Sequence, residues 1–241
     1  MVPGCRPLLL SLLALVINSD LKSRLLIIFF VCICSLQKIK SQVFTLKPAV
    51  GINASQEHGD NYSGFHKAGI FGGAAVNGQF SSRTSLELGF YFSQKGARHN
   101  PNPAKGDFNY YNLTLNYIDI PLSLRYHLNK DYFITAGPYM SYLTGYYENI
   151  NYINYTGYYK FNSFDYGVNF GLGKKIGDKW SFEVRTTNSI IPARPFGSNI
   201  LSNVFYPSAV ARFFNKGFYN NVITFFVAYK LDLKKKTSEP K

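Results

Sequence analysis

Residues 117–143 read YIDIPLSLRYHLNKDYFITAGPYMSYL, two period-two runs joined by a short polar turn. On the first arm Ile118, Ile120, Leu122, Leu124, Tyr126 and Leu128 share one parity, and Tyr117, Asp119, Pro121, Ser123, Arg125 and His127 share the other. Successive side chains of a strand point to opposite faces, so this alternation predicts a strand with one apolar and one polar side. The second arm repeats it, with Tyr132, Ile134, Ala136, Pro138, Met140 and Tyr142 set against Phe133, Thr135, Gly137, Tyr139, Ser141 and Leu143. Asn129, Lys130 and Asp131 supply the turn between the arms. Proline cannot donate to a ladder, so Pro121 on the polar parity and Pro138 on the apolar one are each expected to need a local bulge.

The rest of the chain repeats this hairpin. Counting the two arms at 117–128 and 132–143, eight strands are predicted, the others at 44–55, 67–80, 84–95, 161–175, 180–190 and 221–231. The joins near 78–83, 129–131 and 176–179 are short and the remaining ones are long. Short and long joins therefore fall at opposite rims of one antiparallel meander. An eight-stranded up-and-down transmembrane barrel has this form, with short periplasmic turns, long outer loops and an even strand number.

Composition agrees with a surface that faces lipid. Aromatic residues make up 17% of the 241 residues and charged residues only 16%, where about a quarter is usual for a soluble domain. The polar parity carries Lys47, Glu87, Asp119, Arg125, Glu183, Arg185 and Lys230 among glycine, serine, threonine and asparagine. That mixture suits a crowded lumen in which opposite charges pair. On the apolar parity Tyr126, Tyr132, Trp180 and Tyr229 fall at the short-turn rim, the place of an aromatic girdle.

The N-terminus reads as an export leader over 1–41. Its core at about 21–41 holds Lys22 and Arg24, the apolar run LLIIFFVCICSL and a small residue, Ser41, at the expected cut. The run is too short for a spanning helix, which needs about 20 apolar residues. A second apolar run at 7–17 is read as the product of an over-extended start site. All three cysteines, Cys5, Cys32 and Cys34, lie in the leader and none has a lipobox context. The cleaved chain then has no disulfide framework and no cysteine-ligated zinc. Twenty-one basic and twelve acidic residues remain after the leader, a net charge of +9. They are scattered singly, which argues for anionic lipid headgroups and lipopolysaccharide as partners and against nucleic acid. Residues 233–241 form a polar periplasmic tail after the barrel at 42–232.

The segments YIDIPLSLRYHL, AGPYMSYL, DYGVNFGLG and FYFSQKG together resemble the outer-membrane β-barrel proteins of the Bacteroidetes, the PorT-like or porin-family group, with an OmpA-type eight-stranded barrel. The resemblance runs from about residue 44 to 231 and implies a fold and an outer-membrane location. It implies no activity, and the namesake's place in type IX secretion does not carry over. The chain departs from many such barrels at its end, where Leu231 is followed by DLKKKTSEPK instead of closing on an aromatic residue.

Candidate chemistry is sparse. Asp119, Ser123 and His127 share a face but stand about 13 Å apart along one strand, beyond hydrogen-bond reach. No catalytic, cofactor-binding or metal site is predicted, and His58, His66 and His99 give no ligand spacing. The lumen charges are expected to form a salt-bridged plug, because eight strands leave room only for side chains. Tyr146, Tyr147, Tyr152, Tyr155, Tyr158 and Tyr159 crowd the segment 144–160 and read as an interfacial belt or extended strand, with outer-loop recognition as the second reading. The apolar loop 192–220 is expected to fold over the barrel mouth. The function expected is a non-enzymatic role of a monomer in binding, adhesion or envelope assembly. Narrow passive transport and an accessory place in a secretion apparatus, alongside envelope or secretion proteins, are the alternatives.

Overall fold

The computed structural model describes residues 44–60, 62, 64–195 and 217–232; the leader, the centre of the 192–220 loop and the polar tail lie outside the described residues. Eight long strands run antiparallel: β1 Phe44–His58, β2 Lys67–Gln79, β3 Thr84–His99, β4 Tyr111–His127, β5 Tyr132–Ile150, β6 Phe164–Ile176, β7 Trp180–Ser189 and β8 Gly217–Tyr229. Each pairs with the next, and β8 pairs with β1 from Ala49↔Ala228 to His58↔Tyr219, which closes the sheet into a barrel. Two-residue strands at Ile153–Asn154, Arg194–Pro195 and Leu231–Asp232 add to β5, β8 and β1.

The register fixes the barrel's shape. Stepping across paired residues from Phe44 leads through Gly78, Leu86, Leu124, Ala136, Phe170, Thr186 and Ile223 to Ala54. The path returns to β1 ten residues along, a shear of ten. With eight strands that shear requires a tilt of about 40°. Ten residues or so of each strand cross a bilayer, so the 17 residues of β4 and 19 of β5 project well beyond it.

Sequence accounts for the turns at the short rim. The Asn129 side-chain oxygen accepts the backbone N–H groups of Asp131 at 2.9 Å and Tyr132 at 2.8 Å, holding β4 and β5 in register. Between β6 and β7, Gly177 has φ of +66°, a conformation that costs a residue with Cβ more.

Outward residues form a continuous apolar belt in which Val50, Ile52 and Ile70 are each at least 60% exposed, with Phe90, Phe170 and Leu172 beside them. So large an exposed apolar surface is stable only against lipid. At its short-turn end stand Tyr126, Tyr132, Trp180 and Tyr229, with the rings of Trp180 and Tyr229 edge to face at 4.9 Å.

The prolines act differently from expectation. Pairing is interrupted between Pro121↔Tyr139 and Leu124↔Ala136, and beside it in the β3–β4 ladder, but the register is unchanged across both gaps. Missing donors alone open the ladder there. The single register shift of the β4–β5 pair lies at Asn116/Tyr117, where Thr144 is the extra residue. Its hydroxyl donates to the Asn116 carbonyl at 2.9 Å, which stabilises the bulge. One extra residue reverses the faces of the strand, so the inward side chains of β5 change from odd positions up to Leu143 to even ones from Tyr146.

Candidate functional site

From the short-turn rim upward, the lumen is filled in layers. Inward positions on β1, β3, β4 and β7 bring together Lys47, Glu87, Arg125, Glu183 and Arg185. Arg125 Nη2 donates to Glu87 Oε2 at 2.7 Å and to Glu183 Oε2 at 3.2 Å. Arg185 donates to Glu183 Oε1 through Nη2 at 2.7 Å and Nε at 2.9 Å, and Thr135 Oγ1 donates to the same oxygen at 2.8 Å. Lys47 Nζ reaches Glu87 Oε2 at 3.1 Å. Both guanidiniums lie over rings, Arg125 at 4.0 Å from Phe133 and Arg185 at 4.9 Å from Phe226. These four Arg and Glu side chains are at most 4% exposed. In that dry environment paired, hydrogen-bonded charges persist where single ones could not.

Above them Phe71, Tyr91 and Phe226 form an apolar layer, with Phe71 at 4.7 Å from Tyr91 and 5.2 Å from Phe226. Next, Lys95 Nζ binds Asp119 Oδ1 at 2.8 Å, and the Ser141 hydroxyl donates to the same oxygen. Asp119 thus belongs to a second pair, away from Glu87. Lys230, expected in the lumen network, is exposed at the short-turn rim, where it helps line an open vestibule. Its parity is right but its position is past the end of β8, so no wall encloses it.

A third ion pair, which the alternation missed, closes the outer end. Arg194 donates to Glu148 from Nη1 at 2.7 Å and Nη2 at 2.9 Å, and Tyr111 OH donates to Glu148 Oε1 at 3.0 Å. Arg194 and Glu148 are fully buried, the guanidinium lying 4.3 Å from the rings of both Phe161 and Phe218. Tyr111, Leu113, Leu115 and Tyr117 pack beside them in an apolar cluster that Tyr146 joins from β5. The described ends of the 192–220 loop therefore do fold into the mouth; Phe196, Phe205, Tyr206, Phe213 and Phe214 lie outside the described residues.

Near this upper plug some polar groups have no partner among the described residues. Both carboxylate oxygens of Glu57 lack one although the residue is only 1% exposed, as does Asp60 Oδ2. Asp60 lies in the loop after β1, and burial pushes its carboxyl up to about 7 against the opposing bond from the Tyr62 N–H. In the loop before β4 the carboxyl of Asp107 is held below its usual range, by the Asn109 backbone N–H first and then by His99, whose Nε2 lies 2.6 Å away.

Asp119, Ser123 and His127 do not assemble. Asp119 is taken by Lys95, Ser123 donates to Asn169 at 2.8 Å, and His127 stands edge-on to Phe133. Among the described residues no group of three or more His, Cys, Asp or Glu side chains is placed to hold a metal ion.

The outer end presents aromatic rings. Tyr146 and Tyr147 extend β5, so the extended-strand reading holds for them. Beyond it Asn151 and Tyr152 form a two-residue turn with φ of +49° and +66°, the left-handed pair of a type I′ hairpin. A tyrosine pays for that conformation, and here it lays its ring on Tyr110 at 4.4 Å and 7° from parallel. Asn151 ties the loops together, its Oδ1 accepting the Tyr110 N–H at 2.9 Å and its N–H donating to the Tyr110 carbonyl at 2.8 Å. Phe108, Tyr152 and Tyr158 are more than 70% exposed. Tyr155 packs on Tyr158 at 5.8 Å and Tyr159 at 6.5 Å.

No curated protein matches this chain. Solved structures similar to it include Ail, the attachment invasion locus protein of Yersinia pestis, at 8% identity over 79% of this chain and 100% of that one, with a TM-score of 0.44. Neisserial surface protein A is 9% identical over 80% and 100%, with a TM-score of 0.44. CarO of Acinetobacter baumannii is 13% identical over 76% and 97%, with a TM-score of 0.39. The family model described as outer membrane protein beta-barrel domain matches residues 39–193, well over half of the sequence, and the chain belongs to that family.

Proposed function

We propose that this outer-membrane barrel acts non-enzymatically at the cell surface, in binding, adhesion or envelope assembly, through the loops above β4 and β5. The observation that carries the reading is Tyr152, held in a left-handed turn that stacks it on Tyr110 and leaves it 72% exposed. Rigid, exposed aromatics give large contact area at small entropic cost, and a strained conformation needs a reason to be kept. Three stacked ion-paired layers in the lumen speak against solute passage. Export by the leader at 1–41 and kinship with the PorT-like barrels of the Bacteroidetes fit the same reading and rest on the sequence motifs.

The test is photo-crosslinking on intact cells, with the reactive residue placed at Tyr152 or Tyr158 and, as a control, at the lipid-facing Phe170. Discrete protein or polysaccharide adducts from the two outer positions are expected. Adducts of membrane lipid alone at all three would refute the role.

A further inference from the structure

Toward the long-loop end, the outward wall of β3 and β4 changes character row by row. Phe92 and Ile118 are cross-strand partners in the last apolar row. In the next row the Gln94 amide donates to Asn116 Oδ1 at 3.1 Å. Beyond it Gly96 pairs with Thr114 and Arg98 with Asn112. Lys67, the first residue of β2, reaches across this wall, its Nζ donating to Thr114 Oγ1 at 2.6 Å and to Asn112 Oδ1 at 2.9 Å. Gly96, opposite Thr114, has no side chain to stand in the way. Cross-strand partners have Cβ atoms within about 5.5 Å of each other, so the two cations, Lys67 and Arg98, flank the one amide of Asn112. Arg98 is exposed, and its Nε donates to Asn100 Oδ1 at 3.1 Å. Among the described residues both cations have only neutral partners. The lumen cations Lys47, Lys95, Arg125, Arg185 and Arg194, by contrast, each meet a carboxylate. The outer wall thus carries positive charge that the protein does not compensate.

Height identifies what lies against it. Thr114 is twelve residues along β4 from Tyr126 of the girdle, about 30 Å in height at the barrel's tilt. The apolar band of such barrels is about 25 Å tall, which puts the Lys67 ammonium about 5 Å beyond it, at the level of headgroups. The patch continues the lipid-facing belt without a break, so a lipid whose acyl chains cover Phe92 and Ile118 brings its headgroup to Lys67 and Arg98. We infer that these two residues bind a phosphate of an outer-leaflet glycolipid, with the amides of Gln94, Asn112 and Asn116 turned to its sugar. An ammonium and a guanidinium side by side suit a phosphate, which accepts charge-assisted bonds from both.

The test titrates bisphosphorylated lipid A into the full chain in micelles of a phosphorus-free detergent and counts adducts by native mass spectrometry. One saturable adduct is expected. Lys67→Gln and Arg98→Gln should each weaken it about fivefold, and the double variant about thirtyfold. Lys174→Gln, which removes an exposed charge beside Tyr132 at the other end of the belt, should leave it unchanged. Lipid A stripped of both phosphates should bind no better to the natural chain than to the double variant. Each variant is first shown to be folded by its heat-dependent mobility in detergent gels. The inference is overturned by the lack of a saturable adduct, by undiminished binding of the dephosphorylated lipid, or by a loss with Lys174→Gln that equals the loss with Lys67→Gln.

Discussion

Glu183→Gln tests the lumen network directly. Glu183 accepts bonds from Arg125, Arg185 and Thr135, four donor contacts between 2.7 and 3.2 Å. The substitution keeps the shape but removes one of the two negative charges facing Lys47, Arg125 and Arg185, and turns an amide N–H₂ toward one guanidinium. Removing one member of a buried pair leaves an uncompensated charge and typically costs about 3–5 kcal/mol. The full range applies here because Glu183, Arg125 and Arg185 are at most 4% exposed. Unfolding by urea from lipid vesicles, followed by the fluorescence of Trp180, measures the loss. A lower midpoint with an unchanged slope is expected. Arg185→Gln should then cost less in the Glu183→Gln background than alone, since the two act as a unit. A loss below about 1 kcal/mol would mean that water already solvates these groups and that the lumen is not plugged.

Glu57 should behave oppositely. Both its oxygens are buried without partners among the described residues, so Glu57→Gln is expected to leave stability unchanged or raise it by about 1–3 kcal/mol in the same urea assay. Asp60 sets a pH dependence. Its folded pKa, raised to about 7 by burial, exceeds the unfolded value of about 4. The folded state alone keeps the proton between those values, so the stability it contributes in acid is lost as pH rises from about 4 to 7, by up to ~4 kcal/mol. Asp60→Asn should flatten that slope in urea titrations at stepped pH. Gly173→Ala would place a methyl group on the buried ring of Phe133 beneath Arg125, and a loss of about 1–3 kcal/mol is expected from overpacking.

Alternation carried most of the barrel because one face meets lipid and the other a filled lumen, so each strand's parity is constrained on both sides. It placed five of the lumen charges, Lys47, Glu87, Arg125, Glu183 and Arg185, in one cluster. It failed where the geometry departs from simple alternation. Thr144 is an extra residue, and past it Glu148 points inward on what reads as the wrong parity. Its partner Arg194 comes 46 residues later on a two-residue strand too short to show a period. Lys95 was legible: it has the parity of Glu87 and lies in β3, which runs on to His99 instead of ending at Lys95. Lys230 shows the converse, a lumen parity without a lumen around it. The Tyr110–Tyr152 stack joins two loops, and only the tyrosine-rich composition hinted at it.

The central claim is that the barrel is closed to solutes and that its role lies at the outer loops. Conductance of the purified protein in planar lipid bilayers tests it most directly. With the Glu87, Glu183, Arg125 and Arg185 layer below and the Glu148 and Arg194 pair above, no stable unitary steps are expected. Uniform, long-lived conductance steps that Glu183→Gln alters would contradict it and identify the lumen as a path.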